Sequence, residues 1–94
     1  MKVRIVVKPS KVKNSRLWDW EVQEKFNDKW VMGYIFDPAN NIHRFYGGVS
    51  EERDLAIQMA HSRAQDYIED RKFFDHATHK EIIKRLTYTE EINV

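Results

Sequence analysis

The sequence predicts an α+β fold in which an antiparallel meander of three to four strands carries one long helix, with a short C-terminal helix after it. Three observations lead there. Trp18 and Trp20 open an alternating stripe that Val22 and Phe26 continue, the two-residue period of a half-buried strand. A second aromatic run follows at once with Trp30, Tyr34 and Phe36, so two adjacent strands form a hairpin. Beyond Gly47-Gly48 the period changes, and Ala56, Ala60 and Ala64 recur at helical spacing.

Each element has its own local reason. Val3, Ile5 and Val7 alternate with Lys2, Arg4 and Lys8, and their β-branched side chains favour a strand that Pro9 ends. A polar loop over residues 9–15 leads to the tryptophan strand, which turns at Asn27-Asp28-Lys29 and returns over about residues 29–36. The turn signal Asp37-Pro38-Ala39-Asn40-Asn41 precedes a fourth strand over residues 42–46, after which Gly47-Gly48 releases the backbone. The sheet is therefore expected over about residues 2–46. Ser50 suits an N-cap, with Glu51 and Glu52 in the first turn and Arg71 and Lys72 at the far end, so the long helix is placed at about 51–72. Thr78 and Glu81 have capping-box spacing ahead of Ile82, Ile83 and Leu86, which places the short helix at about 79–87.

The turn after Phe26 decides which side chains share a face. A two-residue Asn-Asp loop sets Trp18 and Trp20 beside Val31, Gly33 and Ile35. A three-residue loop instead gathers Trp18, Trp20, Val22, Phe26, Trp30, Met32, Tyr34 and Phe36 on one side. The second arrangement is the one expected, because small alanines let the helix lie close against a bulky aromatic face. Val31 and Ile35 would then share the open face with Asp19, Glu21, Gln23 and Lys25.

Composition narrows the function classes. A chain of 94 residues fits a single domain burying roughly 60–70% of its unfolded surface. The absence of cysteine rules out disulfides, thiolate metal sites and a cysteine nucleophile, and points to an intracellular, cytoplasmic protein. The apolar stretch at the N-terminus is too short and too charged for a signal sequence, and no run is long enough to span a membrane. The net charge of +1 is unevenly spread: Lys2, Arg4, Lys8, Lys11, Lys13 and Arg16 precede the first acid. That segment is the candidate for a polyanion partner.

No motif assembles a reaction. His76 and His79 have the spacing of two metal ligands on a helix, but a third is not evident and no metal or other cofactor is expected. Ser50 follows Gly47-Gly48-Val49 without the spacing of a nucleophile elbow, and the N-cap role accounts for it. Strands passing through a glycine-containing turn into a helix with Ala56, Ala60 and Ala64 resemble the second half of a double-stranded-RNA-binding domain. That resemblance implies a helix laid across a meander. Glu51 and Glu52 stand where that family carries basic residues, so no RNA-binding residue is transferred.

The expected function is that of a small non-catalytic protein-interaction module, an adaptor, subunit or inhibitor of a larger assembly, such as a phage or mobile-element accessory protein. Leu55 and Met59, on the helix flank away from the alanines, and Val31 and Ile35, on the sheet, are the candidate contacts with another protein or a second copy of this chain. Whether the C-terminal segment covers Leu55 and Met59 is left open by the sequence. The alternative is a nucleic-acid-binding module that uses the six basic N-terminal residues, with Trp18, Trp20, Trp30 and Tyr34 for stacking if their face is open.

Overall fold

A computed structural model describes residues 1–38, 41–76, 80, 81, 84 and 87–93. Among these residues six strands precede one long helix: β1 Val3–Pro9, β2 Trp18–Phe26, β3 Lys29–Met32, β4 Tyr34–Asp37, β5 Ile42–Phe45, β6 Gly47–Ser50 and α1 Arg53–His76. The α+β class with antiparallel pairing is as expected. The expected helix at about 79–87 and the His76 and His79 pair fall largely outside the described residues and side chains.

Strand β2 is the centre of the sheet. It pairs β1 along one edge, and along the other it pairs first β3 and then β6, all antiparallel. Between β3 and β6 the chain leaves the sheet as a separate two-stranded hairpin, β4 with β5. Val22 is the branch point. Its N–H donates to the Tyr46 carbonyl at 2.8 Å, its carbonyl accepts from Gly33 N–H at 2.7 Å, and Tyr46 N–H closes the base of the hairpin on the Gly33 carbonyl at 3.1 Å. Gly33 breaks what the sequence presents as one strand over 29–36. A Cβ there would lie 3.1 Å from the Tyr67 ring, a tight contact that glycine avoids.

The turn after Phe26 corrects the expected register. Phe26 pairs Lys29 and Lys25 pairs Trp30, so the loop is Asn27-Asp28 alone, and both residues have positive φ, 48° and 65°. Left-handed residues at both centres define the hairpin turn whose twist matches the strands, and Asn and Asp adopt it with little strain. Trp18, Trp20, Val22 and Glu24 therefore face the helix. Trp30 and Met32 lie on the opposite face with Gln23 and Lys25. The aromatic residues are divided between two faces instead of gathered under the helix.

The covered face forms the core. Trp20, Val22, Ile35 and Tyr46 pack against Ala56, Ala60 and Tyr67 of α1, with Val3, Ile5, Val7 and Ala64 at the margin. The alanines allow the close approach expected of them. Residues 47–50, read from sequence as a released backbone and a helix cap, form β6 because Gly48 accommodates the Trp20 indole: a Cβ there would lie 2.8 Å from the ring. Ser50 ends that strand, its Oγ accepting Glu52 N–H at 3.3 Å just before the helix begins at Arg53.

Polar groups are also drawn into this layer. Glu24, 6% exposed, accepts a short hydrogen bond from the Tyr67 hydroxyl, and Arg71 Nε lies 3.7 Å from it and 3.4 Å from Asp75. Tyr46 packs edge-on to Tyr67 at 4.9 Å and donates to Asp70 at 2.9 Å. Edge-on aromatic pairs contribute about 0.5–1.5 kcal/mol beyond their buried area. These contacts tie the helix to the base of the hairpin.

Candidate functional site

The strands leave one side open, away from the helix, and the separate β4–β5 hairpin carries exposed aromatic residues on it. Tyr34 stands opposite Phe45 and Phe36 opposite His43, while the intervening Ile35 and Asp37 are buried on the other side. The four outward rings pack on one another: Tyr34 on His43 at 5.6 Å, Tyr34 on Phe45 at 5.2 Å and Phe36 on His43 at 5.0 Å. A hydrogen bond joins the Tyr34 hydroxyl to His43 Nδ1. Cross-strand aromatic pairs of this kind stabilise a hairpin that has no third strand. Their outer surfaces remain in solvent, with Phe36 41% and Phe45 62% exposed.

Two features hold this patch in place from behind. Ile35 enters the core at 2% exposure, and the fully buried Asp37 carboxylate lies 3.4 Å from the Arg44 guanidinium. The hairpin is thus anchored through one face and presents the other. Towards β3 the apolar surface continues through Met32 to Trp30. The Arg4 guanidinium sits 4.2 Å above the Trp30 ring and donates to Gln23 Oε1 at 2.7 Å, with Lys25 Nζ 5.8 Å from the same ring.

The expected contact residues separate. Leu55 and Met59 are exposed on the helix, and Val31 is exposed beside Glu24 at the end of the sheet. Ile35 is in the core and presents no surface, because the two-residue turn places it on the covered side. Of the proposed stacking residues, Trp18 and Trp20 face the helix, while Trp30 and Tyr34 are on the open side.

The six basic residues do not converge. Arg4 and Lys8 are spaced along β1 with Lys2 just before it, whereas Lys11, Lys13 and Arg16 occupy the connection to β2. A seven-residue strand is roughly 23 Å long, so the two ends of this set are far apart. Asp19 stands opposite Lys8 and Glu21 opposite Val6, placing negative charge between them.

Other groups offer little reactive geometry. The Ser50 hydroxyl is engaged with the Glu52 amide, and His61 is exposed. Among the described residues no group of three or more His, Cys, Asp or Glu side chains is placed to hold a metal ion. A groove of about 470 Å³ between the start of β1 and the helix is lined by Met1, Val3, Ile68 and Lys72, away from the hairpin. No described helix is long and apolar enough to cross a membrane.

The exposed hairpin face is the site that sequence reasoning missed. Its signal was the Asn27-Asp28 pair, which fixes the turn length and with it the side on which Trp30, Met32, Tyr34 and Phe36 emerge. No protein-family model matches this chain, and no curated protein or solved structure does so either.

Proposed function

We propose that the protein is a non-catalytic interaction module that docks on another protein through the open face of its hairpin, acting as an adaptor, subunit or inhibitor of a larger assembly. The observation that carries this reading is the cluster of Tyr34, Phe36, His43 and Phe45, exposed together on a hairpin whose other face is anchored in the core. Rigid aromatic side chains lose little conformational entropy on binding and supply most of the energy in protein interfaces. A contiguous apolar surface is also unusual on a chain with one third charged residues. An accessory protein of a phage or mobile element fits this size and type.

A nucleic-acid reading draws support from the Arg4, Trp30 and Lys25 cluster, which places cations around an aromatic ring on the same side of the sheet. Arg4 already occupies the ring face that a base would need, and the aromatic hairpin itself carries no lysine. Capture from host lysate with and without nuclease separates the two. The protein reading expects a partner that survives nuclease, is lost in a folded Phe36→Ser/Phe45→Ser variant and is retained by Leu55→Ala/Met59→Ala. Loss of the bound material on nuclease treatment, or binding that falls steeply with salt and with neutralisation of the six basic residues, contradicts it.

A further inference from the structure

We propose that residues 42–50 are the seam of a homodimer, in which two copies of this chain pair edge to edge and antiparallel about Tyr46. Strands β5 and β6 are joined only by Tyr46, whose N–H and carbonyl both bond inward, to Gly33 and Val22. Antiparallel alternation then turns the backbone groups of residues 42, 44, 46, 48 and 50 towards β4 and β2. Those of His43, Phe45, Gly47 and Val49 point away. No backbone partner for these four is found among the described residues, and all four residues are exposed.

Such an edge is a template for a further strand, and proteins ordinarily guard it with Lys, Pro or a bulge. The opposite edge of the sheet, β1, has those guards in Lys2, Arg4, Lys8 and Pro9. Residues 42–50 contain neither Lys nor Pro, and Ile42, Phe45 and Val49 are 47%, 62% and 56% exposed. An unguarded edge of this length is a binding element.

A second copy fits it for three reasons. Pairing centred on Tyr46 sets residue 43 against 49 and 45 against 47, so all four outward residues of each copy exchange hydrogen bonds. Phe45 of one copy then lies opposite Gly47 of the other, where the missing side chain leaves room for its ring. Arg44 lies opposite Gly48, and no two like charges meet across the axis. Leu55 and Met59 share a helix flank with Arg63 and Asp70, which reach the Tyr46 ring and hydroxyl.

This seam shares His43 and Phe45 with the aromatic face proposed to dock a partner, but Val49 lies outside that cluster and Phe36 lies on the far strand of the hairpin, so Val49→Lys and Phe36→Ser test the two separately. Sedimentation equilibrium of the full chain over a concentration series, with amide exchange at both ends of the series, tests it. A monomer–dimer equilibrium is expected in which the amides of His43, Phe45, Gly47 and Val49 become protected as the dimer forms. Those of Tyr34 and Phe36, on the far edge of the hairpin, should not change. Val49→Lys should weaken the dimer by about tenfold or more while leaving thermal unfolding and partner capture intact. A monomer at every concentration, a dimer that leaves the four amides unprotected, or one that folded Val49→Lys preserves, overturns the proposal.

Discussion

The helix-facing and outward-facing sides of the strands carry similar residues and do opposite things with them. Under the helix, Trp20, Val22 and Tyr46 are at most 6% exposed and packed against Ala56, Ala60 and Tyr67. On the other side, Phe36 and Phe45 pack on neighbouring rings of the same hairpin and are 41% and 62% exposed. Aromatic content alone therefore says nothing about core or interface. The register imposed by a two-residue turn makes the distinction, and it predicts that substitutions on one face act on stability and on the other act on binding.

The harshest way to break this comparison is to lengthen the turn. A glycine inserted between Asn27 and Asp28 opposes the pairing of Phe26 with Lys29 and pushes Ile35 towards solvent. Loss of cooperative unfolding is expected, since native stability is only about 5–15 kcal/mol. Trp20→Ala should follow, at about 3–5 kcal/mol by chemical denaturation, because it leaves a cavity between Gly48 and the helix.

Tyr67→Phe removes the hydroxyl that bonds the buried Glu24 carboxylate, and a loss of about 1–3 kcal/mol is expected. The same contacts give a pH dependence. Burial, then the hydrogen bond to Asp70 and the charge of that carboxylate, push the Tyr46 hydroxyl up to about 12. Burial, with the hydrogen bond to and charge of Glu24, likewise raises Tyr67. The folded chain keeps these protons where an unfolded one begins to release them, at about pH 10. Their contribution to stability is thus complete below about pH 10 and is lost as the pH rises through the folded values. Denaturation midpoints should fall over that window, and less steeply in Tyr67→Phe.

The smallest effect on stability belongs to the open face. Phe36→Ser should change the unfolding free energy by about 0.5–1 kcal/mol, chiefly through the lost ring contact with His43, and yet abolish partner capture. A large destabilisation would mean that this ring belongs to the core.

The parts of the fold legible in the sequence were those set by side-chain period. Val3, Ile5 and Val7, the stripe from Trp18 to Val22, and Ala56 with Ala60 each declared a face, and each faces the core as its pattern requires. What was not legible depended on backbone chemistry at a few positions. Asn27-Asp28 could be counted as a loop of two residues or three, and only the left-handed pair selects the register. Gly33 read as part of one strand over 29–36 and Gly47-Gly48 as a release of the backbone, although Gly33 divides β3 from β4 with the Tyr67 ring close by and Gly48 lies in β6 against the Trp20 indole. The hairpin site went unseen because the three-residue loop assigned Tyr34 and Phe36 to the face opposite the one they occupy.

The most direct test of this division is hydroxyl-radical footprinting of the free chain, read residue by residue by mass spectrometry at low protein concentration. Rapid labelling is expected at Met32, Tyr34, Phe36 and Phe45, with Trp20, Tyr46 and Tyr67 protected. Protection of Tyr34 and Phe36 to the level of Trp20 would contradict the account, because it would place them under the helix.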